Sequence, residues 1–385
     1  MFERPPATIV FVNAGAERGG AEVVLLTLLR HLDRRRFAPE ACLLADGPLA
    51  EEIRRLDVPI VIEPAPGFRR LRQGAALVGR LRQLISARRA EVVHANGTGA
   101  HLYGGLAARR AGIPNVFHVH DVLAPTWDRQ GLVTRAASCV PAAAVVTPSR
   151  FLAVGLRGRV RRRTPVLTIP NGLDDAPVPA TSPAAPDATG PLAVWCGRLQ
   201  RWKGAHVFLE AAALAHRAVP SARFLVVGGT LFGLETTVGD DLRHQAAALG
   251  IGGCVEFTGH VADARPFLAR ADVVVHSAVR PEPFGLVVLE AMLAGRPVVA
   301  SAAGGPLELI EDGATGLLTP PGDAAALADA LVGLFRDPAG REAMGRAARA
   351  RAVERHSADA MTRRFERLYA DLAVMTLPGS FAVAR

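Results

Sequence analysis

Leu192-Ala193-Val194-Trp195-Cys196-Gly197-Arg198-Leu199-Gln200-Arg201-Trp202-Lys203-Gly204 reads as a buried strand, a glycine turn and two cations five residues apart, all ahead of a helix. Lys203 is the one lysine of the chain, against 44 arginines. Where arginine otherwise replaces lysine throughout, a retained lysine points to chemistry that suits an ammonium. That group is a compact point charge able to reach one phosphate oxygen, whereas a guanidinium presents a planar fork. The turn therefore reads as an Arg198/Lys203 clamp for a diphosphate, or else as a solvated basic turn.

The same alternation extends both ways. Short apolar runs predict strands at 8–13, 41–45, 60–62, 91–95, 116–120 and 144–147, with helical patterns such as 21–31 and 100–111 between them. Beyond a Pro/Ala-rich linker at 174–190, strands are expected at 192–196, 224–227, 255–257, 273–276 and 297–300. Helices fit at 205–218 and 324–335, and Ser357 can cap a last helix striped by Met361, Phe365, Leu368 and Leu372. Strand–helix alternation implies an α/β protein of parallel sheets covered on both faces. The expected domains are 1–173 and 191–357, followed by a terminal helical segment, 358–385. Ligands in such folds bind at the carboxyl ends of the strands.

With 385 residues, half of them hydrophobic, the chain can build two cores. No apolar stretch approaches the roughly 18 residues of a membrane span, and the run 7–12 is too short for a signal peptide, so a cytoplasmic protein is expected. Cys42, Cys139, Cys196 and Cys254 are too scattered for a disulfide framework or a zinc site. The net charge of +9 is uneven: residues 1–173 hold 25 Arg against 13 Asp and Glu, and the remainder is slightly acidic. The arginine clusters Arg34–Arg36, Arg69-Arg70, Arg88-Arg89, Arg157, Arg159 and Arg161–Arg163 lack interleaved aromatic rings, which argues against nucleic acid as a partner. They fit a solvated basic surface or peripheral contact with an anionic membrane. The segment 68–85, with Leu71, Val78, Leu81 and Ile85 on one face, fits either a lipid-facing helix or an ordinary helix on the sheet.

Three further constellations carry chemistry. The first strand ends in Asn13-Ala14-Gly15-Ala16-Glu17-Arg18-Gly19-Gly20-Ala21-Glu22, a glycine loop ahead of a helix whose amides suit an anion. Arg280-Pro281-Glu282-Pro283-Phe284-Gly285-Leu286-Val287-Val288-Leu289-Glu290 sets two carboxylates eight residues apart around a turn that opens a helix. The amides of Phe284, Gly285, Leu286 and Val287 lie between them, an arrangement suited to a phosphorylated polyol. Ser301-Ala302-Ala303-Gly304-Gly305 is another strand-end glycine loop, and His120-Asp121 ends a first-domain strand. No D-x-D triplet occurs, so a metal held on paired aspartates is not expected.

In order and spacing, Gly15 to Gly20, Gly197-Arg198 to Lys203-Gly204, Glu282-x7-Glu290, Gly304-Gly305 and Ile169-Pro170-Asn171-Gly172 resemble the retaining nucleotide-sugar glycosyltransferases of family four, over essentially the whole chain. The resemblance implies the GT-B architecture, two Rossmann-like domains with the active site in the cleft between them, and a last helix that returns to the first domain. It implies that Arg198 and Lys203 neutralise the donor diphosphate, that Glu290 holds the ribose and that Glu282 holds the sugar hydroxyls. Gly259, His260 and Val261 would flank the base, and amides from Phe284 to Val287 would contact phosphate and sugar. Gly15, Gly19 and Gly20 would close over donor and acceptor, with His120 near the reacting carbon. Pro283 stands where the family often has glycine, which bears on the sugar pocket's geometry.

The expected activity is metal-independent, retaining transfer from a UDP-, GDP- or dTDP-sugar to an acceptor hydroxyl, with no cofactor. The acceptor would be a small molecule, a natural-product aglycone or a lipid-linked glycan. Two rivals stay open, a nucleotide-sugar epimerase and a non-catalytic nucleotide-sugar-binding protein.

Overall fold

The computed structural model describes residues 5–66, 70–123, 129–160, 164–175, 190–230 and 235–374. Most of the expected linker, 176–189, lies outside these residues, as do Phe68, Arg69, the arginines at 161–163 and the tail 375–385. The chain divides into two compact units, Met1–Asp174 with Ala358–Arg385, and Asp175–Ser357.

The first unit holds a seven-stranded sheet: β1 (Ala7–Asn13), β2 (Phe37–Leu43), β3 (Ile60–Ile62), β4 (Val92–Asn96), β5 (Asn115–His118), β6 (Ala144–Thr147) and β7 (Val166–Thr168). Their order across the sheet is β3-β2-β1-β4-β5-β6-β7, and every pairing is parallel. The second unit holds β8 (Leu192–Cys196), β9 (Arg223–Val227), β10 (Val255–Gly259), β11 (Val273–His276), β12 (Val298–Ser301) and β13 (Leu317–Thr319), in the order β10-β9-β8-β11-β12-β13. These pairings are parallel too. Counted from its own first strand, each sheet begins 3-2-1-4-5-6, the doubly wound Rossmann order. Runs such as Ile9-Val10-Phe11-Val12 and Val273-Val274-Val275 are buried throughout, as strands covered on both faces must be.

Two strands escape the sequence pattern, β7 and β13. Each has three residues at a sheet edge; β7 lies between Pro165 and Pro170, and β13 follows Gly316 and runs straight into Pro320-Pro321, so each reads locally as loop. The expected helix at 100–111 is interrupted by one π-helical turn, His101–Gly105. There His101 stacks on Phe117 at 4.0 Å, and Gly104 brings the backbone against Val12 of β1.

The helix Leu71–Ala87 corrects the lipid-facing reading. Val78, Leu81 and Ile85, with Leu77, are buried in the first unit's own core, so that stripe is not available to a bilayer. Leu71, the first residue of that helix, is 78% exposed. Among the described residues, no helix is long and apolar enough to cross a membrane. The last helix, Ala358–Val374, belongs to the first unit, where Met361, Phe365, Tyr369 and Leu372 are buried and the Ala358 amide donates to the Leu173 carbonyl.

Candidate active site

In the second sheet the chain leaves β8 toward β9 on one side and returns to β11 on the other. The carboxyl ends of β8 and β11 therefore flank the switch point at which doubly wound sheets bind ligands. The turn after β8 is fixed there by close packing. Gly204 has φ +75°, and a Cβ on it would run into the Ser277 carbonyl just past β11. The Trp195 indole donates to Ser277 Oγ at 3.1 Å, and that hydroxyl donates to the Gly204 carbonyl at 2.7 Å.

So anchored, Lys203 lies 4.2 Å from the centroid of the Trp202 ring and donates from Nζ to Glu282 Oε2 at 2.6 Å. His276 Nε2 donates to the same oxygen at 3.2 Å. Glu282 is held from behind: its carbonyl accepts the Gly305 amide at 2.8 Å, and Gly304 and Gly305 bring their backbone so close that neither position has room for a Cβ. Burial would raise the Glu282 carboxyl, but the charge of Lys203 and the hydrogen bond and charge of His276 overcome it and hold the pKa down to about 2. Glu282 is thus an ionised acceptor near pH 7, suited to hydroxyl groups rather than to proton transfer.

The other expected donor residues lie along the same sheet edge. Arg198 is half-buried in the turn leading to Lys203. Glu290 is inside the helix Leu286–Leu293, and its carboxylate adds to burial in pushing up the thiol of Cys196, at the end of β8. That helix begins after Gly285, at φ +96°, and its hydrogen-bond ladder starts with the amides of Val288 and Leu289 on the Gly285 carbonyl, leaving Leu286 and Val287 ahead of it. The Phe284 ring is turned into the core, edge-on to His356 at 5.8 Å, so only its backbone can meet a ligand. Gly259, at φ +70°, ends β10, with Val261 and the exposed His260 following. A cavity of about 270 Å³ opens here, lined by Leu199, Gly229, Thr230, Phe257, Gly259 and His260.

The first unit has a polar cluster at the corresponding switch point. The register pairs Asn13, the last residue of β1, with Asn96, the last of β4, and Asn96 with His118 of β5. Asn96 donates to Asn13 Oδ1 at 2.7 Å, and His120 Nε2 meets Asn96 Oδ1 at 2.6 Å. Burial lowers the His120 pKa to about 4, so its ring is neutral near pH 7. Beneath it, His94 bonds the Tyr369 hydroxyl at 2.6 Å and His118 Nδ1 at 3.2 Å. The glycine loop has an internal role as well: the Gly19 amide donates to Glu22 Oε2 at 3.1 Å, and the space left by Gly15 receives Glu22 Oε1. Gly20 opens the helix Gly20–His31.

The structure therefore brings Lys203 and Glu282 into direct contact, which the sequence reading had given to separate parts of a ligand. It adds His276, Asn13, Asn96 and Glu22. The signal that singled out His120, a polar residue at a strand's carboxyl end, applies equally to Asn13, Asn96 and His276.

Residues 18–176 match the family described as Glycosyltransferase Family 4, and residues 190–337 match the one described as Glycosyl transferases group 1. The alpha-maltose-1-phosphate synthase of Mycobacterium tuberculosis is 31% identical over 376 residues, covering 88% of this chain and 92% of that protein. The D-inositol 3-phosphate glycosyltransferase of Arthrobacter sp. is 42% identical over 160 residues, 40% of this chain. Against the first curated relatives, the chain spans only 37–53% of their length. Among solved structures, Anabaena HepE in complex with UDP and glucose superposes with a TM-score of 0.82 at 28% identity, covering 95% of this chain and all of that one.

Proposed function

The chain belongs to the GT-B glycosyltransferases of the family 4 type, and on that premise we propose that it moves a sugar from a nucleoside-diphosphate sugar to an acceptor hydroxyl with retention of configuration. The observation that carries the reading is the Lys203–Glu282–His276 cluster at the second unit's switch point. It offers one cation for a diphosphate and one ionised carboxylate for sugar hydroxyls, at the same sheet edge as a cavity of about 270 Å³ for a base. UDP is the favoured carrier, supported by the UDP bound to HepE.

In this reading Arg198, Lys203 and the amides of Leu286 and Val287 stabilise the departing diphosphate, the electrostatic contribution that dominates such reactions. The acceptor hydroxyl attacks from the face the diphosphate leaves, and a phosphate oxygen takes its proton. No enzyme nucleophile and no metal is required. Glu290 binds the ribose. Acceptor binding falls to the arginine-rich first unit, with His120 contributing as a neutral imidazole.

The test is incubation with UDP-glucose, UDP-galactose, UDP-N-acetylglucosamine, GDP-mannose and dTDP-glucose against a panel of polyol and sugar-phosphate acceptors. Acceptor-stimulated release of nucleoside diphosphate is expected, with a product whose anomeric coupling matches the donor. An epimerised donor would assign the chain to the epimerases, and binding without release across the panel would make it a carrier. An inverted product would overturn retention.

A further inference from the structure

The amide groups beside His120 have an orientation that the covalent chain dictates. A backbone carbonyl is only an acceptor, so the side-chain nitrogen of Asn13 must face the Gly15 carbonyl, 3.0 Å away. The same nitrogen faces Glu22 Oε1 at 3.4 Å. The Asn13 oxygen therefore points the other way, to Asn96, whose nitrogen donates to it at 2.7 Å and also approaches the Ala21 carbonyl at 3.4 Å. That leaves the Asn96 oxygen turned to His120 Nε2 at 2.6 Å. A neutral imidazole meeting an oxygen there must carry its proton on Nε2 and keep the lone pair on Nδ1.

We infer that the Gly15 carbonyl and Glu22, acting together through Asn13 and Asn96, set the tautomer of His120 and so make its Nδ1 an obligate hydrogen-bond acceptor. Glu22, Asn13 and Asn96 are positioning residues. His120 so held takes a hydrogen bond from a hydroxyl and turns its lone pair against a phosphate or carbonyl oxygen, which selects for the polyol part of a ligand. Glu22 is itself fixed by the Gly19 amide, so the first turn of the helix that follows the glycine loop also orients the chain of donors.

The inference uses the functional reading only to give His120 a ligand, and its test needs no substrate. Nitrogen-15 shifts of the imidazole rings report the tautomer directly, with the His120 signals identified by their absence in His120→Gln. The wild-type protein should show the Nε2–H form of His120. Asn96→Leu, which removes the acceptor, should move the ratio toward Nδ1–H by about threefold to tenfold, the size of one neutral hydrogen bond. Glu22→Gln places an amide among partners suited to a carboxylate and should move it in the same direction. A wild-type His120 protonated on Nδ1 overturns the inference even if every variant misfolds. An unchanged ratio in folded Glu22→Gln or Asn96→Leu removes that residue from the relay. Absence of transferase activity would sink the functional reading and leave these results standing.

Discussion

The two units share a strand order but end their sheets in opposite electrostatic styles. At the second switch point an ammonium, a carboxylate and an imidazole meet at 2.6 and 3.2 Å, forming a charged cluster. At the first, two carboxamides link a neutral imidazole to a carboxylate. One backbone plan thus carries a charged cluster in one unit and a chain of carboxamides ending on a neutral imidazole in the other, chosen by the residues at the strand ends. The difference also separates what each site risks. Removing one member of the charged cluster strands a buried ion, whereas removing one member of the amide chain costs about one hydrogen bond.

The largest expected effect follows from that asymmetry. Lys203→Met should lower turnover on the order of 10²–10³-fold, if the lysine meets charge developing on the departing phosphate. It should also destabilise the second unit by roughly 3–5 kcal/mol, because Glu282 loses its buried counter-ion. Calorimetric melting and turnover of Lys203→Met, Glu282→Gln and the double variant separate the two losses. The double variant should recover much of the stability and none of the rate. Lys203→Arg keeps the charge but spreads it over a fork, and should restore donor affinity better than rate. A Lys203→Met protein with wild-type melting and activity would erase the contrast between the units.

Next in size is Glu290→Gln, expected to weaken donor and free nucleoside diphosphate alike by roughly 1–3 kcal/mol. Titration calorimetry with UDP measures it, and unchanged affinity in the folded variant would remove Glu290 from the nucleotide site.

Acid should distinguish the units without any mutation. In the first, His94 and His120 have folded pKa values of about 3 and about 4, against 6.5 ordinarily. The unfolded chain then binds more protons below pH 6.5, so this unit loses stability as the pH falls from 6.5 toward 3. Glu22, raised by burial, works in the opposite sense. In the second unit Glu282 is lowered from 4.5 to about 2, so its contribution is complete above 4.5 and fades as the pH falls through 2. Hydrogen exchange read by mass spectrometry between pH 7 and 4 should show first-unit peptides opening before second-unit ones. The reverse order would contradict the assignment. The smallest effect expected is none: donor turnover should be the same in EDTA as with added magnesium or manganese.

Much of this architecture was legible because strand ends announce themselves. Short apolar runs of three to six residues located eleven of the thirteen strands among the described residues, and the Gly197–Gly204 and Glu282–Glu290 segments pointed to the cluster at the second switch point. Edge strands β7 and β13 were hidden, since three residues bounded by proline or glycine carry no periodicity. The Lys203–Glu282 contact spans 79 residues and depends on Gly204, Gly304 and Gly305 closing the backbone, which no local pattern encodes. The amide chain of the first unit was hidden for a similar reason: Asn13 and Asn96 become partners only through the register of β1 and β4. The arginine-bearing helix Leu71–Ala87 was ambiguous by nature, because one apolar stripe serves a core or a bilayer equally.

The last helix has a consequence for how the molecule is made. Phe365 and Tyr369 are fully buried in the first unit, and the Tyr369 hydroxyl closes on His94 of β4. The unit whose synthesis starts first is therefore completed last, some 200 residues after Asp174, while the second unit has its whole sequence by Ser357. At about 5–20 residues per second, the nascent first sheet waits roughly 10–40 s with His94 and its aromatic neighbours uncovered. A chain truncated after Ser357 and released should hold a finished second unit and an unsealed first one, making that interval the point at which chaperones have most to protect.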